Sequence, residues 1–170
     1  AGTLKRIDYS LIKGGGITEA DMFRLTADTS SGTSADITAN LERVDDATFS
    51  KIGTGMTESS GIFTFPSTGL YQVIANPQFR SNSDSNSYLI INVSSNSGSA
   101  YDEVAYINGG NAAASNNTTS VFGSSFVNVT NASNFRVKFT TSSMGGSSFV
   151  SGNTDANYSS FVFIRLGDSQ

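Results

Sequence analysis

The sequence contains no cysteine, no histidine and no tryptophan, and only two prolines. Without cysteine there is no disulfide, no thiolate zinc site and no cysteine nucleophile. Without histidine there is no Ser-His-Asp catalysis, no imidazole metal ligand and no histidine pH switch. These absences remove most common hydrolase chemistry. Charge is scarce too: 14% of residues are charged, and a net charge of -4 argues against a nucleic-acid partner. No apolar run approaches the roughly 18 residues that a membrane-spanning helix needs. The first ten residues, AGTLKRIDYS, lack the apolar stretch of a signal peptide, and removal of an initiator methionine before Ala1 fits synthesis in the cytoplasm. A cleaved signal peptide would leave the same first residue, so an extracellular location stays open.

What is present points to one all-β domain. A chain of 170 residues can bury roughly 70% of the surface its unfolded form exposes. Its core material is 12 Phe and 6 Tyr, and its polar surface is mostly Ser, Thr, Asn and Gly. From residue 21 onward, short apolar runs of strand length alternate with turn chemistry, with no stretch of helical periodicity. The candidate strands are residues 22–27, 47–53, 61–65, 70–80, 87–94, 103–108, 119–130, 134–141 and 158–166. Nine such runs linked by Gly- and Asn-rich segments are the pattern of a sandwich or barrel.

Two of the runs carry apolar residues on both faces. In residues 70–80, Tyr71, Val73, Ala75 and Phe79 share one side. Leu70, Gln72, Ile74, Asn76, Gln78 and Arg80 share the other, where Leu70 and Ile74 point to a further surface to cover, such as a subunit contact. In the last run Phe161, Phe163 and Arg165 oppose Val162, Ile164 and Leu166, so this strand too is expected inside an assembly.

Residues 1–20 differ in kind. Lys5, Arg6 and Lys13 against Asp8 give residues 1–13 a charge of +2, leaving -6 on the rest, and Gly14, Gly15 and Gly16 follow as a break. Leu4, Ile7, Tyr9, Leu11 and Ile12 lie among the charges. These residues read either as a frayed terminus or as an arm that docks on a partner.

Residues 61–73, GIFTFPSTGLYQV, hold one of the two prolines between two apolar runs. Pro66 cannot donate a ladder hydrogen bond, so the strand carrying Phe63 and Phe65 must stop there, and Gly69 closes the reversal. The spacing Gly61-x-Phe63-x-x-Pro66-x-x-Gly69-x-Tyr71 resembles the signature of the tumour necrosis factor and complement C1q jelly-roll superfamily. Residues 160–164, SFVFI, are similar to its last strand, and residues 134–139 stand where its penultimate strand would be. The resemblance implies a ten-stranded jelly-roll sandwich over residues 21–170, preceded by an extended arm and Gly linker over residues 1–20. It also implies a homotrimer with Leu70, Ile74, Val162, Ile164 and Leu166 near the threefold axis. Spacing by itself shows only that these positions are apolar. The superfamily's collagen-like stalk and membrane anchor have no counterpart in the sequence, so attachment is expected through the body's surface or the arm.

No site for chemistry stands out. Asp45-Asp46, Asp102-Glu103, Asp84 and Asp155 read as solvated loop charges, and no D-x-[DN]-x-[DN]-G calcium loop is present. The N-x-[ST] matches read as products of composition. Tyr88, Tyr101, Tyr106 and Tyr158 would stack on sugar rings only if exposed. The expectation is a non-enzymatic virion protein without cofactors: a trimeric bacteriophage capsid decoration protein or head fibre, held to the capsid by Leu4, Lys5, Arg6, Ile7, Tyr9, Leu11, Ile12 and Lys13. The alternative is a glycan-binding adhesion module, such as a phage tail-fibre tip or a bacterial surface domain; a secreted signalling ligand is a third reading. Neither a nucleic acid nor a membrane is expected as a partner.

Overall fold

An apolar face on one sheet is stable only against a second sheet, and the alternation along this chain produces that arrangement. A computed structural model of the chain describes residues 16–46, 49–82, 84, 86–109 and 117–170. They form thirteen strands: β1 (Ala20–Leu25), β2 (Leu41–Arg43), β3 (Thr57–Ser59), β4 (Ile62–Thr64), β5 (Gly69–Asn76), β6 (Gln78–Ser81), β7 (Tyr88–Ser94), β8 (Asp102–Asn108), β9 (Asn117–Ser120), β10 (Gly123–Val129), β11 (Arg136–Ser142), β12 (Phe149–Val150) and β13 (Ser160–Gly167). One five-stranded sheet has the order β10-β5-β13-β1-β2, the other β3-β4-β11-β7-β8, and a small third sheet has β12-β6-β9. Every strand pairing is antiparallel.

Phenylalanine joins the two large sheets. Phe23 on β1 and Phe161 and Phe163 on β13 come from one, Phe63 on β4 and Phe139 on β11 from the other. The Phe63 ring lies 5.0 Å from both Phe23 and Phe163 and 5.7 Å from Phe139, while Phe139 and Phe161 are 4.2 Å apart. All five are buried. Edge-to-face and tilted contacts of this kind add about 0.5–1.5 kcal/mol per pair beyond area burial.

Eight of the nine candidate runs form strands, and two of them split. Pro77 removes one ladder donor, so residues 70–80 become β5 and β6, and β6 leaves the first sheet to pair with β9 and β12. The run over residues 119–130 likewise becomes β9 and β10, which belong to different sheets. The ninth run, residues 47–53, does not form a strand in its described part. Ile52 makes a single bridge to Ala20, after which Gly53 and Gly55 turn the chain at φ of 76° and 75°. β2, β3 and β12 have three, three and two residues, too short for their alternation to be read.

Ala20 is already in the sheet, opposite Ile164, and residues 16–19 lead into it. The arm residues Leu4, Lys5, Arg6, Ile7, Tyr9, Leu11, Ile12 and Lys13 lie outside the described residues.

Candidate functional site

The outer face of the first sheet carries apolar residues that the sandwich core does not use. β5 and β13 lie side by side within it, flanked by β10 and β1. Ile74 is opposite Val162, and Gln72 opposite Ile164. The alternation of β5, with Tyr71, Val73 and Ala75 buried, leaves Leu70 and Ile74 half-buried on the outside. Val162 and Ile164 are half-buried beside them. A bulge between Arg165 and Gly167 sets Gly167 opposite Leu70 and makes Leu166 the extra residue, 50% exposed at the end of the stripe. The structure therefore brings Leu70, Ile74, Val162 and Ile164 together and puts Leu166 out of register with them.

Two residues that sequence reading passed over extend this face. Met22 on β1 pairs with Val162, and Phe126 on β10, opposite Gln72, is 65% exposed. The alternation in residues 123–129, with Val127 and Val129 inward, was a signal for Phe126 outward. Between the apolar residues lie Gln72, Asn76 and Ser160, the last two joined by a hydrogen bond of 3.2 Å.

The motif over residues 61–71 builds the end of the sandwich. Gly61 has φ 82°, and a Cβ there would lie 2.1 Å from the Ile37 carbonyl oxygen. Phe63 enters the core, and Pro66 lies between the end of β4 and the start of β5. Gly69 has φ 153°, and a Cβ there would meet the Arg165 guanidinium at 2.4 Å. Tyr71 is buried against Phe65, ring centroids 4.7 Å apart, and its hydroxyl donates to the Ser67 carbonyl at 3.1 Å. Burial raises the Tyr71 phenol above the ordinary tyrosine range, so it stays protonated and serves as a fixed donor. Arg165, on the same face as Phe163, bonds the Thr68 carbonyl at 2.9 Å, Thr18 at 3.4 Å and Asp168 at 2.6 Å. It ties the Pro66–Gly69 turn to the segment entering β1.

Beside the stripe, β1 carries two buried charges. Asp21 is 2% exposed and accepts from the Arg43 guanidinium and from the backbone N–H of Met22 and Met56, the last at 2.7 Å. Arg24 pairs with Glu42 at 3.0 Å and Asp46 at 3.3 Å. Asp21 shares the inward face with Phe23, and an acid at a core position requires a cation. Of the other carboxylates noted in the sequence, Asp84 accepts from the Gly145 N–H, and Glu103 accepts from the Tyr106 hydroxyl. The Glu103 bond raises the Tyr106 phenol above its ordinary range. Among the tyrosines, Tyr106 and Tyr158 are exposed and Tyr88 and Tyr101 half-buried. Among the described residues, no three Asp or Glu side chains converge as a metal site.

No protein-family profile and no curated protein matches the sequence. Solved structures do match the fold. Eiger TNF from S. frugiperda superposes with a TM-score of 0.68 at 14% identity, over 91% of this chain and 96% of that one. Murine APRIL at pH 5.0 gives 0.63 at 9% identity, over 87% and 98%. The PRD1 vertex protein P5 gives 0.52 at 16% identity, over 90% and 100%. With two sheets in this strand order, a core shared between them and the motif over residues 61–71 at one end, the chain folds as a tumour necrosis factor-like jelly roll.

Proposed function

We propose that this protein is a non-enzymatic structural component of a virion. It assembles as a homotrimer through the outer face of the β5–β13 sheet, and residues 1–13 attach it to the capsid as a decoration protein or head fibre. The observation that carries the reading is the stripe of Leu70, Ile74, Val162 and Ile164 in the middle of a sheet whose inner face already packs the core. A solvent-facing sheet centre would be polar throughout, and apolar residues gathered there mark a contact surface. A cyclic trimer joins two different patches of the same chain. Exposed apolar residues away from the stripe, among them Val104 and Tyr106 on edge strand β8 and Phe122 at 78% exposure between β9 and β10, are candidates for the second patch.

The virion part of the reading is supported by the likeness to a vertex protein of phage PRD1 and by the +2 charge of residues 1–13 on a body of -6. Three arms on one trimer would bind together, so weak single contacts give firm attachment. The test has two arms. Light scattering on the full chain should give three times the monomer mass at micromolar concentration; a monomer there removes the assembly reading. Protein lacking residues 1–16 should remain trimeric and fail to co-sediment with particles that lack the protein, whereas equal decoration would move the contact to the body.

A further inference from the structure

On the opposite side of the sandwich from the apolar stripe, the second sheet carries a cleft of about 270 Å³. Val137 and Phe139 of β11 point into the core, so Arg136 and Lys138 project outward to form the cleft floor. Asp36 and Thr38 line one side, Ile62 another, and Tyr101 and Gly98 belong to the loop that follows β7. The charges are not equivalent. Lys138 is neutralised by Asp36 at 2.8 Å, and its ammonium also sits 4.5 Å from the centre of the Tyr101 ring. Asp36 is further held by the Thr140 hydroxyl; despite the opposing effect of its burial, its bonds to Lys138 and Thr140 keep it below the usual carboxylate range and ionised. Arg136 spends one donor on the Phe135 carbonyl at 2.7 Å and has no carboxylate partner among the described residues. The Tyr101 hydroxyl is buried with no hydrogen-bond partner.

We infer that this cleft binds a sugar ring bearing a carboxylate. A half-buried guanidinium without a counter-charge suits a planar carboxylate, which it can hold through two parallel bonds. The remaining lining matches the rest of such a ligand. Asp36 accepts from ring hydroxyls, Thr38 offers a further hydroxyl, Tyr101 has an unmatched polar atom, and Ile62, 38% exposed, faces the C–H side of a ring. The volume lies just under the roughly 300–1,000 Å³ of pockets for drug-sized ligands, which suits one ring rather than an oligosaccharide. A bare inorganic anion would leave the apolar wall at Ile62 without a role. The inference stands apart from the assembly reading, since the cleft and the stripe lie on different sheets.

The experiment is ligand-observed NMR and calorimetry on the full chain with N-acetylneuraminate, glucuronate, neutral galactose and inorganic sulfate as probes. At least one acidic sugar should bind with a Kd of about 1 mM, with galactose weaker by roughly tenfold or more. Arg136→Gln should lower acidic-sugar affinity at least about tenfold with an unchanged melting temperature. Ile62→Glu, which sets a carboxylate at the cleft wall, should do the same and serves as the second variant. Failure of both acidic sugars to bind at about 10 mM, binding of sulfate as tight as theirs, or unchanged affinity in both variants would overturn the assignment.

Discussion

Ile74 on β5 and Val162 on β13 stand directly opposite each other, both half-buried on the outer face of the sheet. Replacing either by Asp puts a carboxylate on this face without touching the core beneath, where Val73, Ala75, Phe161 and Phe163 stay in place. Ile74→Asp and Val162→Asp should therefore yield folded protein that no longer self-associates, because a contact would bury the charge unpaired. Light scattering with circular dichroism checks this, and an intact assembly from both variants would place the contact elsewhere.

Tyr71 makes separable contributions through its ring and its hydroxyl. Tyr71→Phe keeps the packing against Phe65 and loses the bonds to Ser67, at an expected cost of about 1 kcal/mol. Tyr71→Ala should cost about 3–5 kcal/mol as a large-to-small core change. Urea denaturation of the two variants gives the difference; equal losses would mean that the ring contributes little.

Asp21 is the most exacting charge in the first sheet. Its four donors come from Arg43, Met22 and Met56, and its removal leaves the Arg43 guanidinium without a carboxylate, held only by the Met56 carbonyl and the Phe23 ring. Asp21→Ala should destabilise by about 3–5 kcal/mol. A loss under about 1 kcal/mol would show that Arg43, whose side chain is 31% exposed, turns out to solvent instead.

Acid should act through Asp36. Its pKa is lowered in the folded protein by Lys138 and Thr140, whose bonds outweigh the burial that opposes them. A folded pKa below the unfolded value means stabilisation that is fully present above about pH 4 and is lost as pH falls below it. Asp36→Asn should flatten that part of the stability curve and leave stability at neutral pH only slightly reduced, since the pair is partly exposed. Thermal melts between about pH 2.5 and 7 read this directly.

Gly61 tests the turn. Alanine there would adopt a positive φ and meet the Ile37 carbonyl at 2.1 Å, so Gly61→Ala should destabilise by at least about 1–3 kcal/mol. A neutral result in a denaturant titration would mean that residues 35–38 pull away from the β3–β4 hairpin without loss.

The strands were legible where side chains alternate over five or more residues, as in residues 70–76 and 160–164. There the sequence also carried the division between core and outer face, and hence Leu70, Ile74, Val162 and Ile164. The motif at Gly61, Pro66 and Gly69 was legible because each residue answers a backbone requirement that few others meet. β2, β3 and β12 were not, since two or three residues hold no period and their pairing depends on neighbours far along the chain. The bulge that displaces Leu166 comes directly after Arg165, whose guanidinium holds the Thr68 turn, a contact between residues 97 positions apart. The cleft is a product of tertiary structure for the same reason: Asp36, Ile62, Tyr101 and Arg136 come from four separate segments.

The position of β13 has a consequence for biosynthesis. It lies between β5 and β1, so the two halves of the first sheet are joined only through the final strand of the fold. A nascent chain cannot close that sheet until β13 has left the ribosome, and until then β1 and β5 present unpaired edges over an open phenylalanine core. Most of the contacts are non-local in the same way, which places the molecule among slow, late-folding topologies. A ribosome stalled before residue 160 would therefore expose β1 and β5 as unpaired edges, an aggregation hazard that persists until β13 emerges.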